Sequence, residues 1–216
     1  MIRRSWIAAA VVILAGFVSA QTNAQTNADP PVHLTGPLED VYAIYSLLMP
    51  GTVFTNLGPA QNQRWAIADT TVNIDDMNPA LAPDAALQPP NGAARQFQEA
   101  VGEFNLRKHL REPVIRGFKL KRPYVLLTPA DISEFRTART GASPGNALAQ
   151  KYAGYPGINY FSDVYFDSHR TAALVYQLSW CGYLCSQGEW VFLEKQNGQW
   201  VQRSGQPAVV SGAKPF

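Results

Sequence analysis

Thr171-Ala-Ala-Leu-Val-Tyr-Gln-Leu-Ser-Trp180 opens the stretch of sequence that decides the fold, and Glu189-Trp-Val-Phe-Leu-Glu-Lys195 and Gln199-Trp-Val-Gln-Arg203 complete it. All three segments are rich in β-branched and aromatic residues, which favour strands. Asn197-Gly198 separates the last two segments, and this pair indicates a hairpin because both central turn residues need positive φ. With a preceding strand over Ile158 to Phe166, the sequence predicts a four-stranded antiparallel meander.

The predicted strand over 171–180 has two different faces, because side chains alternate along a strand. One face carries large apolar side chains: Leu174, Tyr176, Leu178 and Trp180. We expect this face to pack on helices.

Three helices are predicted before the meander, over 38–49, 93–106 and 129–138, because their apolar residues recur every three or four positions. The last helix has the strongest start signal, since Thr128-Pro-Ala-Asp131 supplies a capping hydroxyl and a proline at the first helical position. The predicted fold class is therefore α+β, an antiparallel sheet with the helices packed on one face.

Weaker patterns fill the rest of the chain. Alternation over Arg64 to Val72 predicts a strand, Tyr124 to Leu127 a short buried strand, and Ala147 to Tyr152 a short helix. Asn73 to Gly92 contains four prolines and predicts a long loop without a helix or a central strand.

The first 20 residues have the pattern of a secretory signal peptide. Arg3 and Arg4 precede an apolar run of 13 residues from Trp6 to Val18, and Val18-Ser19-Ala20 has small residues at the two positions that a signal peptidase reads. A helix of this length spans about 20 Å, and a membrane core needs roughly 30 Å. Phe17 stands where a lipoprotein would need cysteine. We expect cleavage after Ala20 or Ala24 and no stable membrane anchor afterwards.

The predicted organisation is a signal peptide over 1–20, a flexible leader over 21–37, and a single domain over 38–216. The chain has 216 residues, of which 46% are apolar and 16% charged, so it can bury a core. Loss of the signal peptide leaves 16 cationic and 16 acidic side chains. This balance gives no electrostatic basis for a nucleic-acid partner. We expect a periplasmic or secreted protein with no cofactor and no metal.

Cys181 and Cys185 lie between two predicted strands of an exported chain, where disulfides persist. A redox site would normally have a two-residue spacer ahead of a helix. The spacing is also similar to that of periplasmic copper-delivery proteins, but no histidine follows Cys185. Zinc would need four ligands. A structural disulfide is the favoured interpretation over the redox and metal alternatives.

The C-terminal segment resembles that of a group of small secreted bacterial proteins of unassigned function. The residues that carry the resemblance are Arg170 to Tyr176, the pattern Cys181-Gly-Tyr-Leu-Cys185, Gly188 to Lys195, and Asn197 to Trp200. Val41 to Ser46 and Ile67 to Thr71 are similar to the same group and less specific. The resemblance implies a shared fold and export, and it carries no catalytic residue.

Seven cations lie between residues 107 and 122 against Glu112 alone: Arg107, Lys108, Arg111, Arg116, Lys119, Lys121 and Arg122. They form a candidate anion-binding region for a phosphate, an envelope glycan or an acidic partner. The alternative is a solvated helix end and connecting loop.

Acidic residues of the meander are candidate catalytic groups, because two carboxyl groups that meet across a sheet could hydrolyse a glycosidic bond. They are Asp163, Asp167, Glu189 and Glu194. The alternative is that they are solvated, outward residues. Ser168 and His169 share the turn with Asp167, but adjacency in sequence is not triad geometry. His109 is predicted to be exposed at a helix end.

Many aromatic residues lie in the C-terminal part of the chain, from Tyr152 to Trp200. They could line a binding site for an apolar or sugar ligand, but core packing explains most of them equally well. The leading hypothesis is therefore an exported, non-enzymatic domain that binds a small molecule or an envelope protein. The alternative is an envelope hydrolase that uses the acidic residues of the meander.

Overall fold

The computed structural model describes residues 37–49, 64–77, 82–141, 146–182 and 185–203. The helices are α1 (Pro37–Leu48), α2 (Pro83–Ala86), α3 (Ala94–Arg107), α4 (Pro129–Thr140) and α5 (Ala147–Lys151). The strands are β1 (Trp65–Ala68), β2 (Tyr124–Leu127), β3 (Ile158–Phe161), β4 (Tyr165–Phe166), β5 (Ala172–Gly182), β6 (Cys185–Gln196) and β7 (Gln199–Arg203). The predicted signal peptide and the leader up to residue 36 lie outside the described residues.

The strands form one mixed sheet in the order β2-β1-β3-β5-β6-β7, and β4 also pairs with β5. β1 runs parallel to β2 and to β3, whereas the pairs from β3 through β7 are antiparallel. The α+β class and the C-terminal meander are thus confirmed. The sheet is mixed because long, helix-containing connections separate β1, β2 and β3, and such connections allow parallel pairing.

Core side chains cover both faces of the sheet. The Leu174 and Trp180 face of β5 packs against α3 and α4, as expected, while Ala173 and Val175 on the opposite face belong to the cluster around α1. Helices therefore lie on two faces rather than one. The prediction fails for α1 because the second face of β5 carries the apolar residues Ala173 and Val175 and the strand is buried from Ala172 to Trp180, so both faces need a cover.

The stretch over 73–92 is less irregular than predicted. Asn73 caps a 3₁₀ turn at Ile74–Asp76, since its side chain accepts the Asp75 N–H at 3.0 Å. Pro83 begins α2, where its missing N–H costs no helical bond. A proline-rich composition thus excludes long helices but allows a single turn that begins at proline.

Two predicted strands are shorter or divided in the structure. The strand predicted over 64–72 ends at Ala68, and Thr70 and Val72 form isolated bridges to Pro113 and Ser162. The strand predicted over 158–166 is divided into β3 and β4. Ser162 lies at the break, where its hydroxyl accepts the Tyr176 N–H at 2.8 Å.

The hairpins at the end of the chain follow the sequence signals. Asn197 and Gly198 have φ of 49° and 78°, as the turn requires. A disulfide joins Cys181 to Cys185 across the ends of β5 and β6, with the two Cα atoms 5.2 Å apart, so the predicted pairing is confirmed. None of the helices in the described residues has the length and apolar character needed to cross a membrane.

Candidate functional site

A cleft of about 440 Å³ opens where β1 ends and α4 begins. Ligands of parallel sheets commonly bind outside the carboxyl ends of the strands, and this cleft occupies that position for β1. We call it the strand-end cleft. Its walls are formed by Ala68, Asp69, Thr70, Val72, Arg111, Pro129, Ile132, Ser133, Arg136, Thr137, Thr140 and Tyr160.

Local structure fixes both walls of the strand-end cleft. Thr128 caps α4, since its hydroxyl accepts the Asp131 N–H at 3.2 Å while the Asp131 carboxylate accepts the Thr128 N–H at 3.2 Å. Helical periodicity then places Ser133, Arg136 and Thr137 on the same side of α4. On the opposite wall, the hydrogen bond from the Val114 N–H to the Asp69 carbonyl, at 2.7 Å, holds the residues after β1.

Two guanidinium groups reach the strand-end cleft. Arg111 donates to Asp76, whose side chain is only 7% exposed. Arg136 lies over the ring of Trp180, with its Cζ 5.7 Å from the ring centre. Burial raises the pKa of Tyr160 to about 12, against the opposing effect of Arg136, so its phenol is neutral at physiological pH.

Three hydroxyl groups of the strand-end cleft already donate their protons within the protein. Thr70 donates to the Asp69 carboxylate at 3.0 Å. In α4, Thr137 donates to the Ser133 carbonyl at 3.0 Å, and Thr140 donates to the Arg136 carbonyl at 2.8 Å. A hydroxyl has one proton and two lone pairs, so these three oxygens remain acceptors toward the cleft.

A second cleft, of about 390 Å³, lies between α1 and residues 112–115; we call it the α1 cleft. Its apolar and aromatic wall includes Val41, Tyr42, Ile115, Val164 and Phe166. Its charged wall consists of Glu103, Arg107, Glu112, Asp163 and Arg170.

Arg107 ties together the acidic residues of the α1 cleft. Its Nη1 donates to Glu103 at 3.0 Å, its Nη2 donates to Asp163, and its Nη2 lies 3.8 Å from Glu112. Burial raises the pKa of Asp163, against the opposing effects of Arg107 and the Val164 N–H. Both Asp163 oxygens accept hydrogen bonds, because the Val164 N–H reaches Oδ1 at 2.8 Å. This arrangement suits a structural carboxylate better than a proton donor.

The other acidic residues of the meander have separate structural partners. Asp167 accepts the N–H groups of Thr171 and Ala172 at 2.6 and 2.8 Å and closes the turn before β5. Glu189 accepts from Gln177, and Glu194 pairs with Arg203 at 3.1 Å. Each of the four predicted acids therefore has a structural partner that is not another of the four.

His109 and His169, the two histidines in the described part of the chain, are exposed as predicted. Ser168 donates its hydroxyl proton to Glu99 at 2.6 Å, so it is oriented toward α3 rather than toward a base. His169 is exposed in the same turn. His109 is exposed after α3, with Nδ1 3.0 Å from Asp75. Within the described ranges, no cluster of three or more His, Cys, Asp or Glu side chains could hold a metal ion.

The structure divides the basic stretch 107–122 between different neighbourhoods. Arg107 lines the α1 cleft and Arg111 lines the strand-end cleft. Lys119 lies 3.9 Å from Glu39, and Arg122 lies over the Trp65 ring at 5.3 Å. Lys121 is exposed, whereas Lys108 and Arg116 are partly buried. Anion binding by this stretch remains a prediction.

Sequence reasoning missed most of the strand-end cleft. Asp69 lies inside the strand predicted over 64–72. Ser133, Arg136 and Thr137 lie inside the helix predicted over 129–138, after its start signal, and neither pattern marks them as site residues. The spacing of the α4 residues was visible in the sequence, but nothing in it placed this side of the helix beside the end of β1.

Comparisons with known proteins provide no independent assignment of the site. No family model, curated protein or solved structure matches the chain.

Proposed function

We propose that this protein is an exported, non-enzymatic binding protein of the cell envelope that takes a small molecule in the strand-end cleft. One observation carries the proposal: the cleft is concave, has an apolar wall, and brings several polar groups to one place. This combination is typical of small-molecule sites. Its position beyond the end of β1 agrees with the usual location of ligands in parallel sheets.

Export is part of the proposal and rests on the sequence pattern of the first 20 residues. The disulfide between Cys181 and Cys185 is compatible with an oxidising compartment. Intact mass spectrometry of protein from fractionated cells tests this part. We expect a chain that begins at Gln21 or Gln25 in the extracytoplasmic fraction. A full-length chain confined to the cytoplasm would contradict export.

Binding is tested with a variant that fills the strand-end cleft. Ser133 is exposed on the second turn of α4 and lines the cleft, so Ser133→Phe places a ring inside it. Ala130→Phe is the matched control, because Ala130 is exposed on the same helix and does not line the cleft. The assay is a thermal-shift screen against a broad library of small metabolites.

We expect ligands that raise the melting temperature of the wild type and of Ala130→Phe but not of Ser133→Phe. A library without any stabilising compound would contradict the proposed function. Compounds that stabilise all three proteins equally would place binding outside the strand-end cleft and would also contradict it.

Asp163 supports one alternative, an envelope hydrolase. It lies in the α1 cleft, its pKa is raised by burial, and Glu112 approaches the same guanidinium nitrogen. Perturbed carboxyl groups in clefts are common at catalytic sites. Turnover of glycosidic or ester substrates that disappears in both Asp163→Asn and Glu112→Gln, with folding intact, would favour the hydrolase. No turnover in the wild type would remove it.

A further inference from the structure

The strand-end cleft contains both hydrogen-bond acceptors and hydrogen-bond donors. Acceptors come from the oxygens of Thr70, Thr137 and Thr140, whose protons are bound within the protein, and from the Asp69 carboxylate. One Asp69 oxygen accepts the Thr70 proton at 3.0 Å, and a carboxylate has about four acceptor positions. Donors come from the guanidinium of Arg111, because a guanidinium has five N–H groups and Asp76 accepts from one nitrogen.

Formal charges around the strand-end cleft are balanced. Arg111 is paired with the nearly buried Asp76. Arg136 and Asp69 then contribute one charge of each sign to the lining. Arg136 lies over Trp180 with the face of its guanidinium.

This balance disfavours charged ligands. A carboxylate or phosphate supplies acceptors without donors, so it would face the Asp69 carboxylate and the threonine oxygens without satisfying them. An ammonium group supplies donors without acceptors and would face the two guanidinium groups. Removing a polar group from water without a new hydrogen-bond partner costs free energy. A hydroxyl group, which donates and accepts, satisfies both kinds of partner.

The remaining wall of the strand-end cleft is apolar. It consists of Ala68, Val72, Pro129 and Ile132. Such a wall removes C–H groups of a ligand from water. A ring that carries hydroxyl groups at its edge and C–H groups on its face matches both walls.

We infer that the strand-end cleft binds a small neutral polyhydroxylated molecule, of the monosaccharide or cyclic polyol class, through Asp69 and Arg111. The inference rests on the proposed function, because it names the ligand class of the same site. Asp69 accepts from the ligand hydroxyl groups, Arg111 donates to them, and Ile132 lies against the ring face.

Saturation-transfer NMR tests this inference with ligands that share a ring and differ in charge. A panel of neutral hexoses and inositols is compared with the corresponding uronates and amino sugars, each added to the full mature protein. We expect saturation transfer to neutral members of the panel, with at least tenfold weaker binding of their uronate and amino counterparts. The signal disappears in Ser133→Phe and persists in Ala130→Phe.

Asp69→Asn removes the charge of the Asp69 side chain and keeps its shape, so it tests the contribution of the charge to ligand binding. The amide can still accept from Thr70, but it replaces a charge-assisted bond to the ligand with a neutral one. Such bonds differ by about 1.4 kcal/mol, so binding of a neutral sugar weakens about tenfold. Asp84→Asn, at an exposed position of α2, removes the same charge away from the cleft and leaves binding unchanged.

Three results would overturn the inference: stronger binding of uronates or amino sugars than of neutral sugars, an Asp69→Asn variant that binds neutral sugars as the wild type does, or no binding by any neutral member of the panel. The library screen distinguishes these failures from failure of the proposed function. If compounds of another class still stabilise the wild type but not Ser133→Phe, the cleft is a binding site and only the ligand class is wrong.

Discussion

Gly188 of β6 lies against the side chain of Tyr176 in β5. A Cβ at this position would overlap the Tyr176 hydroxyl and would stand 2.7 Å from its Cζ. Tyr176 is 3% exposed, and its ring packs on Trp190 with centroids 5.5 Å apart. The ring therefore has little freedom to move away, and Gly188→Ala overpacks the core.

The expected cost of Gly188→Ala follows from two opposing effects. Alanine in a strand interior is more stable than glycine by roughly 0.5–1 kcal/mol, whereas overpacking costs roughly 1–3 kcal/mol. Because the Tyr176 ring is buried against Trp190, the overpacking cost should lie in the upper part of its range, and we expect the free energy of unfolding to fall by about 1–2 kcal/mol. Urea unfolding, monitored by tryptophan fluorescence, measures this change. We expect the slope of the unfolding free energy against urea concentration to stay the same.

Gly102→Ala is the matched control. Gly102 is exposed in α3, and no heavy atom lies within 4 Å of the position of its added Cβ. The same substitution should therefore stabilise the protein, by about 1 kcal/mol. Tyr176→Phe in the Gly188→Ala background should recover part of the loss, because it removes the overlapping hydroxyl. A Gly188→Ala protein as stable as the wild type would refute the reasoning.

Three further perturbations test other parts of the structure. Cys185→Ser opens the short loop closed by the disulfide and should lower the free energy of unfolding by about 2 kcal/mol; an unchanged urea midpoint would show that the disulfide contributes nothing. Thr128→Ala removes the cap of α4 and should cost about 1 kcal/mol, with Thr140→Ala at the other end of α4 as the control. Hydrogen bonds from Ser168 and Arg95 lower the pKa of Glu99 from 4.5 to about 2, so Glu99 stabilises the fold above pH 4.5 and this contribution disappears as the pH falls toward 2. Glu99→Gln should flatten the loss of stability over that range in acid-unfolding curves, and a slope equal to that of the wild type would contradict the assignment.

Elements with local signals were predicted closely from the sequence. β2 and β7 have the predicted bounds, and α4 begins at the predicted proline. The Asn197-Gly198 turn has the positive φ values that its type needs. These features depend on residues adjacent in sequence, so one segment contains all the information that specifies them.

Features that depend on distant segments were not predictable in the same way. The parallel pairing of β1 with β2 joins Trp65 to Tyr124, and no local pattern states which partner a short strand takes. The cover that α1 provides on the second face likewise depends on how the whole chain returns to the sheet. At the break between β3 and β4, the Ser162 hydroxyl accepts the Tyr176 N–H, and a pattern of apolar residues does not reveal such a side-chain hydrogen bond.

The same difference explains why the strongest candidates from the sequence are structural residues. Asp167 and Glu194 are candidates in the sequence because they lie in a well-patterned meander, but in such a meander polar side chains close turns and pair across strands. No local pattern marks Asp69 or Arg136, because a cleft forms where strands end and segments distant in sequence meet. Substitutions in the meander should therefore change stability before they change binding, whereas isosteric substitutions at Asp69 should change binding at constant stability.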